Sequence, residues 1–556
     1  MRVNRRSSRS PRKVRPFRFW DSLSAIGLLT GTLFFAASLT PSLVPRDVSL
    51  QGVLSGCSLA AGYGIGVFGL WLWTYLELPR PADRTAYYLK LGCAGIFAVV
   101  AVAFLWRAAQ WQNSIRERME LAPVDSMHPY LVGLVAIAVF VVLLLLARLF
   151  MAIFHMASKQ VGRFAPRRVS RLAGIAVTLL LFWSVAEGVL FRFALHVADS
   201  SFQKLDALIE DGRPVPTDPN KTGSTASLLD WDGLGRAGRE FVSTGPTKSA
   251  IGMFLGRDAE EPLRVYVGLN SAETTAERAR LALEELKRVG GFERSTLVVV
   301  VPTGTGWVDP AAMDTVEYLH GGDIASVAIQ YSYLTSWLSL LVEPEYGRET
   351  ARALFAEVYA YWTRLPRERR PRLYLHGLSL GALNSDLSTD LFDVVGDPFH
   401  GALWSGAPFA SRTWKTVTAE RNPGSPAWLP RFRDGSIIRF TNQQNELAIP
   451  GAQWGAMRIV YLQYASDAVT FFDPLSFYRA PAWMAAPRGP DVSPEFRWYP
   501  VVTFLQLLLD MATATKPPMG YGHVYAPEHY IDAWIEVTGV EWPADGIARL
   551  KRQFAR

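Results

Sequence analysis

Cysteine is almost missing: 556 residues hold two, Cys57 and Cys93, each inside an apolar run. Neither a disulfide framework nor a cysteine metal cluster can be built from them. Histidine is scarce too. The eight histidines are scattered, no His-x-x-x-His pair is available to a helix, and the acids do not gather at ligand spacing. The sequence therefore predicts no metal site and no cofactor. Charged residues make up only 19% of the chain, against 49% apolar ones. Acid is absent from the first twenty residues, which carry Arg2, Arg5, Arg6, Arg9, Arg12, Lys13, Arg15 and Arg18. With these eight set aside, 49 of the 57 basic residues remain against 50 acids, so the net charge of +7 belongs to the tail. That distribution predicts no nucleic-acid face; a basic tail beside an apolar run fits a cytoplasmic segment drawn to anionic lipid.

Long apolar runs are abundant before residue 200, and mean hydropathy is positive at +0.11. Five are marked: Ser22 to Val44, Gly52 to Leu76, Leu89 to Trp106, Tyr130 to Phe154 and Leu172 to Leu195. Each is close to or above the roughly 18–20 residues that a helix needs to cross hydrocarbon. The first is too long for a signal peptide and lacks a small-x-small cleavage site. Basic residues cluster in the tail, near Arg80, Arg84 and Lys90, and from Arg148 to Arg171, which predicts a cytoplasmic N-terminus. Five spans then place the remainder on the outer side of the cell membrane. In the second run "GIGVFG" (Gly64, Gly66, Gly69) matches a dinucleotide-binding pattern, but no strand precedes it and no acid follows at the right distance. It is read as close helix packing. Glu187, inside the fifth run, either has a function or meets water or Arg192 near the span's outer end.

After residue 200 the character changes. "DGRPVPTDPNKTGSTAS" reads as a loop or linker, and from residue 262 strand-like and helix-like segments alternate. Strands are expected at 264–269, 295–304, 323–333, 372–377, 401–409 and 458–467, with helices at 275–290 and 347–365. The expected fold is an α-helical transmembrane N-terminal domain followed by an α/β domain with a mostly parallel sheet. The expected parts are a basic tail (1–20), a five-span region (21–196), a linker and lead-in segment (197–261) and a catalytic domain with lid insertions (262–556).

The chemistry gathers around "RLYLHGLSLGALNSD". Ser379 lies directly after a strand and directly before a helix, with Gly377 and Gly381 two residues to either side. A nucleophile elbow needs this arrangement, because only small residues tolerate so sharp a turn. His376 is read as packing. An acid and a histidine follow in the expected order. Asp467 ends a strand, with Asp473 in reserve; His523 follows a glycine-rich turn, with His529 in a later helix as the alternate. Oxyanion donors are expected from the N–H of Leu380 and from Thr305 or Gly306 in "VVVVPTGTGWVDP".

With these residues the chain resembles the α/β-hydrolase superfamily. It is similar in particular to a bacterial membrane-anchored family that joins N-terminal spans to an extracytoplasmic catalytic domain. The closer resemblance is carried by "SLTPSLVPR" (38–46), "GREFVSTGP" (238–246), "HGLSLGA" and "SDAVTFFDP" (466–474). It implies serine chemistry by Ser379, Asp467 and His523 and a membrane anchor, but no substrate. One departure is an insertion from about Ser411 to Gly435. Apolar stretches "YLTSWLSLLVEP" (333–344) and "FYRAPAWMAAP" (477–487), with Trp414, Trp428, Trp454 and Trp498, are read either as a roof over the site or as core. The expected partners are the bilayer and a lipid or other apolar ester, hydrolysed through an acyl-enzyme. The rival readings are acyl transfer between envelope lipids and a non-catalytic scaffold or transport protein; a peptidase finds no recognisable pocket motif.

Overall fold

The computed structural model describes residues 23–79, 82–161, 213–333, 344–389 and 391–555, besides residues 163, 166, 175 and 176. The chain divides into two compact units. One comprises the residues up to Thr40, Asp47–Ala109 and Asp125–Leu146; the other comprises Pro41–Arg46, Gln110–Val124 and Ala147–Arg556.

The first unit is helical: α1 (Ala25–Ser38), α2 (Val48–Tyr75), α3 (Asp83–Arg118) as far as Ala109 and α4 (Pro129–Val161) as far as Leu146. Among the described residues three helices, α2, α3 and α4, are long and apolar enough to cross a membrane. The first expected span is shortened. Ser24 caps α1 by accepting the Gly27 N–H, the helix stops at Ser38, and Pro41 and Pro45 prevent its continuation. Asp47 then caps α2. The fifth expected span, with Glu187, lies outside the described residues apart from 175 and 176. The helices α1 and α2 meet through glycine: the Thr30 hydroxyl donates to Gly62 O at 2.8 Å, and a methyl on Gly66 would overlap Thr30. Gly64 and Gly69 have nothing within 4 Å, so within "GIGVFG" Gly66 alone makes the close helix contact.

The second unit holds a seven-stranded sheet in the order β1-β3-β2-β4-β5-β7-β6, with every pair parallel. The strands are β1 (Leu263–Val267), β2 (Thr296–Val301), β3 (Ile324–Ile329), β4 (Arg372–Leu378), β5 (Gly401–Ser405), β6 (Ile438–Thr441) and β7 (Arg458–Leu462). β1, β2, β3 and β5 are buried at every position. Such uninterrupted apolar strands require helices on both faces. Six strands were legible as apolar runs; β6, four residues long, was not. A parallel sheet sends all its strand-to-helix turns out at one edge, where α/β proteins place their ligands.

The lead-in segment is packed from Leu229 onward, with Trp231, Leu234, Phe241, Val242 and Ile251 in the main core. The insertion at Ser411–Gly435 is also packed: Trp414 and Trp428 are buried, and their indole N–H groups donate to Gln463 Oε1 and Pro487 O. Leu43 and Val44, from the loop between α1 and α2, join the same core.

Candidate active site

β4 ends in a turn that only glycine permits on either side. A methyl on Gly377 would overlap the backbone of Gly381, and one on Gly381 would overlap the carbonyl of Val301 at the end of β2. Between them Ser379 has φ 57° and ψ −124°, a backbone region that non-glycine residues rarely occupy. The Ser379 N–H donates to Ser405 O (2.9 Å) at the end of β5, and the helix Leu380–Asp386 starts immediately after it. The serine is thereby held on a strained turn at the carboxyl edge, 5% exposed.

Asp467 follows β7 and is fully buried. Its Oδ1 accepts the Val469 and Thr470 N–H groups. Its Oδ2 takes His523 Nδ1 at 2.7 Å, the Tyr525 hydroxyl at 2.7 Å and the Thr470 hydroxyl at 3.2 Å. These donors fix the orientation of the carboxylate. A hydrogen bond to Nδ1 leaves Nε2 as the working nitrogen of His523, and among the described residues that buried atom has no partner. Gly406 locates it. A methyl there would stand 2.6 Å from Cε1 of His523, and Gly406 is the residue after Ser405, whose carbonyl holds the Ser379 backbone. His523, from the loop between the helices Val502–Ala512 and Pro527–Thr538, thus pairs with Asp467 after β7 and lies against Gly406, next to the residue that holds the Ser379 backbone.

The alternates are spent elsewhere. Asp473 caps a short 3-10 helix by accepting the Leu475 N–H, and His529 Nδ1 pairs with the Tyr464 hydroxyl at 2.5 Å. His376 is core: Nδ1 pairs with Leu403 O, the ring packs on Trp534, and burial pushes its pKa down to about 4. In the turn after β2, the Gly306 N–H donates to Thr303 O, so Gly306 is corrected as an oxyanion donor; its glycine serves a positive φ of 83° beside the Tyr266 hydroxyl. Among the described residues the Thr305 N–H has no partner, and Leu380 opens its helix with its N–H outside the helical ladder.

Sequence reasoning missed the residues that fix the two loops. Asp491 Oδ2 accepts the Ser466 N–H, the Ser466 hydroxyl and Gln443 Nε2 at 3.0, 2.6 and 2.9 Å. The Ser466 oxygen in turn accepts the Gly522 N–H at 2.9 Å, and Gln443 reaches Gly520 O. The acid loop and the histidine loop are tied together one residue away from Asp467 and from His523. Tyr525 was the one legible signal, two residues past the histidine. Its hydroxyl pKa is pushed well above the ordinary tyrosine value by burial and by Asp467. Asp309 is also buried beneath the site, where Tyr530 donates to it at 2.9 Å; burial raises its pKa to about 6. No cluster of three or more metal-ligating side chains occurs among the described residues.

A buried histidine–carboxylate pair beside a serine on a strained strand-to-helix turn, at the carboxyl edge of a parallel sheet, defines an α/β-hydrolase type of site. Residues 263–550 match the model of an alpha/beta-hydrolase family, and residues 39–246 match the N-terminal model of an alpha/beta-hydrolase family. The chain belongs to this alpha/beta-hydrolase family and carries its N-terminal region. No curated protein matches the chain. One solved structure, described as belonging to LipS and LipT, two metagenome-derived lipolytic enzymes, aligns with 31% of this chain and 86% of its own. At 14% identity and a TM-score of 0.16 that likeness has no bearing on function.

Proposed function

We propose that the protein is a membrane-anchored serine hydrolase of the esterase or lipase type. The observation that carries the reading is the His523 Nδ1–Asp467 Oδ2 hydrogen bond of 2.7 Å, with Nε2 left unpartnered beside the loop that holds Ser379. In the reaction, Nε2 of His523 accepts the Ser379 hydroxyl proton as Oγ attacks the ester carbonyl. Asp467 keeps the imidazole oriented and stabilises its positive charge. The N–H groups of Leu380 and Thr305 receive the negative charge on the carbonyl oxygen. The imidazolium returns the proton to the leaving alcohol, and water activated by His523 then releases the acid. Acyl transfer relied on an apolar roof that excludes water. Trp414 and Trp428 belong to the core instead, and this removes part of the support for that alternative.

The same reading puts the site on the outer side. The α1–α2 loop Pro41–Arg46 and the α3–α4 segment Gln110–Val124 both belong to the hydrolase unit. With the N-terminus on the cytoplasmic side, this reading includes the fifth span expected at 172–195, since an odd number of crossings leaves the hydrolase outside. The basic tail supports a cytoplasmic N-terminus.

The test is labelling of intact cells with a fluorescent fluorophosphonate. The protein is expected to be labelled, by a membrane-impermeant probe as well, and Ser379→Ala to remain unlabelled at equal abundance. A folded protein that does not react returns the scaffold reading to the front.

A further inference from the structure

The Val502–Ala512 helix is built the wrong way round for a soluble domain. Its polar residues Gln506 and Asp510 are fully buried, while Leu508 is 42% exposed and Leu505 and Leu509 are half-buried. Leu505, Leu508, Leu509 and Ala512 stand at the i, i+3, i+4, i+7 spacing of one helix face. The buried side has a clear task. Asp510 Oδ2 accepts the Leu43 N–H at 2.8 Å, and Asp510 Oδ1 stands 4.0 Å from Arg46 Nε. Both partners belong to the loop joining α1 to α2.

Next to the leucine face lies a second apolar group. Phe477 and Tyr478 are 48% and 62% exposed, and Leu475 is exposed beside them. The Val501 N–H, at the start of the helix, donates to Phe477 O at 2.9 Å, and Phe477 packs on Phe504. Arg479 is exposed at the end of the run.

Chain connectivity says what covers this patch. Leu43 is five residues from Ser38 and five from Val48, where the two apolar helices end and begin; five residues reach at most ~18 Å. With α1 and α2 in the membrane, the helix that holds Leu43 is tethered within that reach of their ends. We propose that Leu475, Phe477, Tyr478 and Leu508 rest in the headgroup–acyl boundary of the leaflet on the hydrolase side, with Arg479 at the lipid phosphates. Exposed aromatic and leucine side chains with an adjacent cation suit that boundary. The segment that ends at Tyr478 begins at Asp467, so a lipid ester leaving the leaflet here meets the acid loop of the site. The proposal rests on the anchoring described above and not on the serine chemistry.

The full chain, with Cys57→Ala and Cys93→Ala, is placed in nanodiscs of phosphatidylcholine and phosphatidylglycerol at three to one. Tyr478→Cys and Leu508→Cys are each labelled with an environment-sensitive fluorophore; Met253→Cys, highly exposed on another helix, is the control. The first two labels are expected to emit at shorter wavelength and to be quenched severalfold more by a shallow nitroxide lipid than the control. Emission like that of the control at both sites overturns the proposal. So does a shifted emission that ignores the nitroxide lipid and appears only with two copies per disc, because a second chain then covers the patch. In vesicles, Phe477→Ser with Tyr478→Ser is expected to lower hydrolysis of a membrane-dissolved diacylglycerol at least fivefold, with a short soluble ester cleaved as before. Loss of both activities in equal measure counts against a lipid-docking role. Failure of Ser379 to react with fluorophosphonate overturns the enzyme reading alone and leaves the fluorescence result standing.

Discussion

Tyr525 donates to the same oxygen of Asp467 that accepts His523 Nδ1, so the acid is positioned by a phenol as well as by backbone amides. A hydrogen bond to a charged group contributes about 1.5–3 kcal/mol. Tyr525→Phe is expected to lower kcat on a small ester by roughly tenfold, with KM little changed, in steady-state assays that include a fluorophosphonate titration of active sites. Asp309 carries a pH dependence of stability. Burial raises its pKa to about 6 from an ordinary carboxylate value, so the folded state holds its proton more tightly than the unfolded chain does. Its contribution is complete below pH 4 and is lost as pH rises through 6, at a cost of about 3 kcal/mol. Denaturant midpoints are expected to fall between about pH 4 and pH 6, to level off above that, and to fall less in Asp309→Asn, which keeps the Tyr530 hydroxyl paired.

At the scale of elements, the elbow and the two loops behave differently. The elbow is local: "HGLSLGA" spells out strand, glycine, serine, glycine and helix, and the structure has each in place. Gly381→Ala pushes a methyl into the carbonyl of Val301 and to 3.0 Å from that of Pro302, both of them backbone. Overpacking of this kind is expected to cost about 3 kcal/mol, seen as a lower denaturation midpoint and weaker labelling of Ser379. The acid and histidine loops are non-local. Asp491 and Gln443 lie far from Asp467 and His523 in the sequence, and nothing in their surroundings marks them. The fold alone brings them within hydrogen-bond distance of Ser466 and Gly520.

At the scale of the whole molecule, the loop 41–46 and the segment 110–124, which interrupt the helical unit in sequence, are counted with the hydrolase, and the proposed topology puts both outside. Single cysteines introduced at Ser126 and Met253 are therefore expected to react with an impermeant maleimide from the outer face of intact cells. One at Glu77, between α2 and α3, is expected to react only after permeabilisation. Reaction of all three from outside overturns the proposed topology. The two natural cysteines are removed first.

Apolar runs, strand-to-helix alternation and the elbow were set by the sequence itself, because each depends on residues close together in the chain. Hydropathy marked α2, α3 and α4, and runs of valine and isoleucine marked β2 and β3. The choice of His523 over His529, and of Asp467 over Asp473, was decided by tertiary structure, since a histidine–carboxylate pair is a matter of two loops meeting. The fate of the tryptophans was decided there too. In the sequence Trp414 and Trp428 read either as a roof or as core; in the fold they are core, and their indole N–H groups donate to Gln463 Oε1 and Pro487 O. The inverted helix at Val502–Ala512 is the clearest case. Its composition reads as an ordinary apolar helix, and only the loop from the anchor, held by Asp510, fixes which face turns inward and leaves the leucines outside.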